Sequence, residues 1–516
     1  MTDDNNSGGP LLDRLHRYVP LATWAVVILV ILVIPFKIVS YGYLPGDDAL
    51  RHAAKAVSGK PWSEILLLNP AYQIDHEFGW SLLLEKIQHA ENANAESLVV
   101  FSVVSLFMLA GWSVLPWLKR PEAWLMALIL ASLLMGLPQR WMLGRPYLVT
   151  LAALLNLLLV WQTHGSSAPR WWMMGLMTFL MAASTFVHGV WYLWALPVAA
   201  FFLAGQFRWG TALMLCSAVG IFLGSALTGH PVAYPLQAVK LAMLTTGIQD
   251  TAHIKAVELQ PFNGNILAVM LVGGLLVLRR LAGLAARPLT ANPAFWLAGM
   301  GWMLGFVVGR FWFDWGGAAL LVLLTGDLQL FLQTRFRADS FRRLGLVCGV
   351  ALTLFLVTTN DIGSRWTQNL TWQFVTPDDP DLAGWLPDRG GIFYTADMTL
   401  FYETFFKNPR ADWRYVLGFE PTLMPAEDFK VYHRVHWNFG DTQAYEPWVE
   451  KMQPPDRLVI RGDRSGPPNL PQLEWEYGVS GIWIGRLPRS NAPPPAPTVP
   501  ATATRGRLTN AVNLPR

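Results

Sequence analysis

Long apolar runs recur through the first 360 residues, and they constrain the fold more than any other feature of the chain. A helix needs about 20 mostly apolar residues to cross the hydrocarbon core of a bilayer. About eleven runs reach or approach that length: 19–40, 97–118, 122–138, 147–163, 173–188, 190–206, 210–228, 265–283, 294–309, 316–333 and 344–360. Composition agrees, because 53% of the 516 residues are hydrophobic and only 14% are charged, against about a quarter charged in soluble domains. A disordered chain, a disulfide scaffold and a single soluble domain are excluded. The expected fold is a polytopic α-helical membrane protein with a small C-terminal extracytoplasmic α/β domain.

Loop charges orient it. With the N-terminus inside, residues 1–18 are cytoplasmic. The inner loops then hold Arg14, Arg17, Lys119, Arg120, Arg170, Arg208, Arg279, Arg280, Arg287, Arg335, Arg337, Arg342 and Arg343. The short outer loops hold only Arg140, Arg145 and Arg310, as the positive-inside rule requires. The first run contains Pro35 and Lys37 and has no small-residue cleavage site after it, so it reads as a retained anchor in the inner (cytoplasmic) membrane. The net charge of +4 resides in these loops and forms no aromatic-laced basic patch, so no nucleic-acid partner is expected. Cys216 and Cys348 both lie in apolar runs and lack metal-ligand spacing.

The transmembrane module 19–360 carries two long outer loops, 41–96 and 229–264. Residues 361–488 follow outside, with strand-like runs at Ile392–Thr395, Tyr415–Gly418, Arg457–Arg461 and Gly481–Gly485. Helical runs at Thr399–Phe406, Ala426–His436 and Tyr445–Met452 alternate with them, which predicts an α/β domain that docks on the outer loops or recruits a partner. The Pro- and Thr-rich stretch 489–516 cannot bury a core and reads as disordered.

The most informative polar stretch runs from Leu44 to Val57. Pro45-Gly46 makes a turn and Asp47-Asp48 open a helix. Ala49, Leu50, Ala53, Ala54 and Val57 recur at helical spacing, leaving Arg51, His52 and Lys55 on another face. The pattern predicts an amphipathic helix lying on the outer membrane surface. Asp47 and Asp48 read equally as an N-cap and a first-turn acid or as chemistry, since capping needs one aspartate, not two.

An acidic pair soon after the first span, followed by an Ala- and Arg-bearing helix, resembles the first outer loop of GT-C glycosyltransferases. That class includes protein O-mannosyltransferases and the aminoarabinose transferases that act on lipid A. The many spans, the long first outer loop, the Arg145-Pro146-Tyr147 step opening a span and the C-terminal domain are similar too. The resemblance implies a lipid-linked donor, usually a polyprenyl phosphate sugar, and inverting transfer to an acceptor hydroxyl on a glycan, lipid or protein at the outer face. It implies a carboxylate base, Asp47 ahead of Asp48, and arginines on the leaving phosphate.

Arg51 and His52 join the substrate-binding candidates. In Asp75-His76-Glu77, the acids can hold sugar hydroxyls, cap a second helix, or bind a divalent ion (magnesium or manganese) with Asp48. Arg140, Arg145 and Arg310 sit against the charge trend and suit either phosphate or headgroups; Arg310 and Asp314 also suit an i,i+4 ion pair. His188 ends a span and faces either a cavity or the interface. In loop 229–264, Lys240, His253, Lys255, Glu258 and Gln260 mark a segment that orders over substrate or merely connects. His433 and His436 lack a third ligand and read as surface residues. Two competing functions remain open: a polysaccharide polymerase or ligase using a pyrophosphate-linked donor, and a non-catalytic transporter or scaffold of an envelope polysaccharide export complex. The scarcity of mid-span ionisable residues, Asp327 apart, weighs against transport.

Overall fold

The computed structural model describes residues 15–72, 74–135, 137–165, 167–245, 260–262, 264, 266–281, 283, 288–438 and 441–488. The expected cytoplasmic segment thus begins to be described only at residue 15, and the Pro-rich tail lies outside the described residues. His253, Lys255 and Glu258 lie outside them as well.

The chain is mostly helical. Its longer helices are α1 (Val19–Val39), α2 (Asp48–Ser58), α3 (Phe78–Glu91), α4 (Ala95–Trp112), α5 (Glu122–Met135) and α6 (Tyr147–His164). Next come α7 (Trp171–His188), α8 (Ala195–Leu203), α9 (Phe207–Leu227), α10 (Ala233–Thr245), α11 (Ile266–Leu281) and α12 (Pro293–Gly305). α13 (Gly317–Arg335), α14 (Phe341–Thr359), α15 (Met398–Lys407), α16 (Ala426–Trp437) and α17 (Glu446–Lys451) complete the set.

Among the described residues, six helical stretches are long and apolar enough to cross a membrane: Val19–Val39, Ala95–Trp117, Tyr147–His164, Phe207–Leu227, Phe311–Arg335 and Phe341–Thr359. The other five expected runs form shorter or less apolar helices, α5, α7, α8, α11 and α12, of 14, 18, 9, 16 and 13 residues. At 1.5 Å rise per residue, 13 residues span about 20 Å, short of a core of about 30 Å. Apolar side chains such as Val219, Phe222, Val269 and Met270 point outward, a face that a bilayer would cover. These features fit a multi-pass membrane protein.

α6 and α13 lie at the centre of the bundle and are buried on nearly every side. α7 and α9 form the tightest pair, because Gly220 and Gly224 let the backbones touch: a Cβ on either would come within 2.5 Å of Met181 Cβ or the Ala182 carbonyl. Glu122 at the start of α5 takes two bonds from Arg343 at the start of α14, from Nε at 2.7 Å and from Nη2 at 2.9 Å, with both side chains buried.

The C-terminal domain has five strands: β1 (Ile392–Thr395), β2 (Arg414–Tyr415), β3 (Arg457–Arg461), β4 (Glu474–Gly478) and β5 (Ile482–Arg486). They are ordered β2-β1-β3-β5-β4. β1 pairs parallel with β2 and β3, and β5 pairs antiparallel with β3 and β4. Two sequence expectations need correcting. β2 has two residues in place of four, and β4, whose Glu-Trp-Glu-Tyr alternation went unread, adds an edge.

The domain docks on the first loop. Leu66 forms a parallel bridge with Tyr415, Leu67 N donates to the Tyr415 carbonyl at 2.9 Å, and Asn69 N to that of Leu423 at 2.7 Å. The first loop thereby extends the sheet beyond β2. Lys60 Nζ adds a bond to the Ala411 carbonyl at 2.7 Å, and Asn369 Nδ2 one to Gly42 at 2.8 Å.

Candidate functional site

The acid pair is positioned by local chain chemistry. Pro45-Gly46 turns the chain, and Asp47, extended at φ −153°, caps α2 by accepting from Asp48 N at 2.6 Å. α2 is not on a surface, contrary to the amphipathic reading. It packs against α3, α4 and α15, and Arg51, His52 and Lys55 on its polar face are as buried as its alanines. The polar face meets protein partners instead of water.

Those partners come from the 75–77 loop and α3. Arg51 Nε donates to Asp48 Oδ1 at 2.8 Å, and its Nη2 makes a short bond to Glu77 Oε2. His52 Nε2 lies 2.8 Å from the same Glu77 oxygen, and Lys55 Nζ bonds Glu85 at 2.7 Å. Asp75 takes Trp62 Nε1 at 3.0 Å, Ser81 Oγ at 2.8 Å and the Glu77 amide at 2.9 Å. Arg51 stacks its guanidinium on Phe419 at 4.0 Å, and its buried Nη1 has no hydrogen-bond partner among the described residues.

Arg145, from the loop before α6, closes the other side. Its Nε and Nη2 reach Asp47 at 2.9 and 2.5 Å, and Nε stands 3.7 Å from Asp48 Oδ2. From the C-terminal domain, Tyr402 on α15 donates to Asp48 Oδ1 at 3.2 Å. Burial pushes the Asp48 carboxyl up, but Arg51, with Arg145 and His52, outweighs it and holds the group down at about 2. Burial likewise raises Glu77, and Arg51 and His52 pull it well below its ordinary value. For His76, burial and Arg51 lower the pKa against Glu77 and Asp75, so the ring is neutral at neutral pH.

The divalent-ion reading of Asp48, Asp75 and Glu77 does not fit. Each carboxylate already accepts from protein donors, and among the described residues no three His, Cys, Asp or Glu side chains stand together as metal ligands. His433 and His436 are no exception; His436 Nδ1 is bonded to the Tyr432 carbonyl at 3.0 Å.

A second cluster adjoins the first. Asp314 lies in a π-helical turn, Phe311–Gly316, a feature common at functional sites. It accepts from Arg310 Nε at 3.0 Å, the expected i,i+4 pair, and also from Arg140 Nη2 at 2.5 Å. Arg310 Nη2 stands 3.4 Å from His188 Nε2, whose Nδ1 faces Thr150 Oγ1 at 3.2 Å. After His188, Gly189 turns the chain at φ +65°, and a Cβ there would come 2.5 Å from the His76 carbonyl. Tyr234 of α10 places its hydroxyl between the carbonyls of His76 (2.8 Å) and Thr185 (2.9 Å), and Gln237 Nε2 donates to Ile74 O at 2.6 Å. The described part of loop 229–264 therefore clasps the His76 loop.

Between the clusters lies a cavity of about 130 Å3, lined by His76, His188, Tyr192, Arg310 and Glu420 among others. The eleven catalytic and substrate-binding candidates lie in two adjoining clusters: Asp47, Asp48, Arg51, His52, Asp75, His76, Glu77 and Arg145 in one, Arg140, His188 and Arg310 in the other. Among the described residues, Lys240, His433 and His436 make no contact of this kind in either. Sequence reasoning missed Tyr192, Tyr234, Tyr402, Phe419 and Glu420. None sits in a motif, and only the fold brings them here. No family model matches the chain, and no curated protein matches it.

Proposed function

We propose that the protein is a GT-C-like glycosyltransferase of about eleven spans, in the inner membrane with its C-terminal domain outside. It would move a sugar from a polyprenyl phosphate donor to an acceptor hydroxyl on an envelope glycan, lipid or protein. One observation carries the reading: a carboxylate pair after the first span, gripped by an outer-loop arginine, forms one buried polar layer with a second arginine–histidine cluster and its cavity.

In this reading Asp48 is the base. Both Asp47 oxygens are taken up by the helix cap and Arg145. Asp48 is bonded by Arg51 and Tyr402 through Oδ1, whereas, among the described residues, its Oδ2 accepts no hydrogen bond and stands 3.7 Å from Arg145 Nε. The acceptor oxygen attacks the anomeric carbon while the C–O bond to phosphate breaks on the opposite face, so configuration inverts. A carboxylate of low pKa takes the acceptor's proton late, once the new C–O bond has made that proton acidic. Arg310, beside His188 and backed through Asp314 by Arg140, suits the departing phosphate dianion. Arg145 and Arg51 keep the acids ionised and fixed.

The test is transfer by the purified chain from radiolabelled polyprenyl phosphate hexoses and pentoses to an envelope extract. Asp48→Asn, which keeps the shape, should abolish transfer at normal protein level. Full transfer by both Asp48→Asn and Asp47→Asn would sink the proposal.

A further inference from the structure

The largest cavity described in the C-terminal domain, about 640 Å3, lies away from the acid pair and is well within the size of small-molecule sites. Its position follows from strand order. β1 is flanked by β2 on one side and β3 on the other, so the chain leaving β1 goes one way and returns on the other side. In open α/β sheets, the crevice outside the carboxyl ends of two such strands is where ligands bind. Thr395 and Asp397 at the end of β1, and Arg461 and Asp463 at the end of β3, line this cavity, with Tyr445 and Trp483 beside them.

The side chains select the ligand. At such a crevice a phosphate would seek the N-terminus of α15, but Asp397 occupies it as N-cap, accepting from Thr399 N at 2.8 Å. Three carboxylates line the cavity (Asp397, Asp441 and Asp463) against one guanidinium, Arg461, which bonds Asp397 at 2.7 Å across the crevice. That balance repels phosphates and nucleotides. Asp441 and Asp463 each cap a turn through Oδ1, on Gln443 N and Ser465 N, and present Oδ2 to accept from ligand hydroxyls. With Arg461 as donor and aromatic faces for a sugar's C–H surface they match a neutral polyhydroxylated ligand. Trp483 is held in place by its Nε1 bond to the Asp463 carbonyl at 2.8 Å.

We infer that this crevice is a saccharide-binding site, distinct from the acid pair and linked to it by α15, which carries Asp397 at its N-cap and Tyr402 on Asp48. The inference does not depend on the transfer chemistry.

The test uses the full chain in lipid nanodiscs on an array of mannose-, glucose-, galactose-, rhamnose- and arabinose-terminated oligosaccharides. Inorganic phosphate and UMP serve as soluble competitors. At least one saccharide should be retained. Trp483→Ala should weaken retention about tenfold or more, and Trp483→Phe, which keeps a stacking face, should restore most of it. Asp463→Asn, which can still cap its turn, should cost about three- to tenfold, with far-UV circular dichroism unchanged. Asp48→Asn should bind as the unaltered chain does, whatever its transfer activity, so failure of the transfer reading and failure of this one are separable. Retention of no saccharide, retention indifferent to Trp483→Ala and Asp463→Asn, retention lost in Asp48→Asn, or displacement by phosphate or UMP would each overturn the inference.

Discussion

Arg145 holds the carboxylate of Asp47 through two nitrogens, Nε at 2.9 Å and Nη2 at 2.5 Å, across 98 residues of chain. The fork ties the loop before α6 to the N-cap of α2. It leaves Asp48 to Arg51 and Tyr402, both on Oδ1, with Oδ2 3.7 Å from Arg145 Nε.

Replacing Arg145 should therefore act in a graded way. Lysine keeps the charge and loses the fork, so transfer should fall in part. Alanine removes from Asp47 charge-assisted bonds worth roughly 1.5–3 kcal/mol each, so transfer should fall at least about tenfold further. Equal rates for Arg145→Lys and the unaltered chain would show that charge alone matters there.

Acid should loosen the site. The Asp48 carboxyl titrates at about 2 in the folded chain against an ordinary value of 3.8, and Glu77 is lowered too. A depressed folded pKa contributes stability that is present above the ordinary value and lost as pH falls through the folded one. For Asp48 alone this amounts to roughly 2 kcal/mol between about pH 4 and pH 2. Thermal unfolding in detergent over that window should be less pH-dependent in Asp48→Asn. An unchanged slope would mean that the pairing with Arg51 contributes nothing.

Glu403 on α15 should respond in the opposite direction. Burial pushes its carboxyl from 4.5 up to about 7, with Arg461 pulling down and Asp397 adding to the rise. Between those values the unfolded chain releases a proton that the folded chain keeps, so stability declines as pH rises and levels off above about 7. Glu403→Gln should remove this decline and stabilise the protein at pH 8 by up to about 3 kcal/mol. At pH 4 it should change little. The same gain at both pH values would point to packing instead.

The buried Glu122–Arg343 pair should be costly to halve and cheap to remove. Arg343→Ala leaves the buried Glu122 with Arg120 alone, at 3.7 Å, and should cost about 3 kcal/mol, whereas Glu122→Leu with Arg343→Met should cost less. Comparing the unfolding midpoints of the two variants checks this, and equal losses would refute it.

Much of this architecture is legible in the sequence wherever information is local. The Pro45-Gly46 turn and the acid pair place the start of α2, and Arg310–Asp314 follows from i,i+4 spacing. What is not legible depends on distant partners. Helical periodicity shows that Arg51, His52 and Lys55 share a face, but a face that meets water and one that meets Glu77 and Glu85 have the same pattern. Nothing near Asp314 announces Arg140, 174 residues away. β4 escapes because its charged, half-exposed residues carry little apolar signal, and the two-residue β2 is set by its pairing with β1 and by the bridge to Leu66.

The bridge between Leu66 and Tyr415, and the bond from Tyr402 to Asp48 across 354 residues, also bear on how the protein is made. A chain emerges from the ribosome in order, yet residues of the first loop reach these two neighbours only once the last third has been synthesised. Until then Asp48 lacks the Tyr402 hydroxyl and Arg51 lacks the Phe419 ring, although Glu77 and Glu85 are already at hand for Arg51, His52 and Lys55. Contacts this far apart in sequence form slowly. The nascent protein therefore passes through a stage in which the first loop is complete but the side of its polar layer that α15 and Phe419 close is still open, a stage that a truncated chain never leaves.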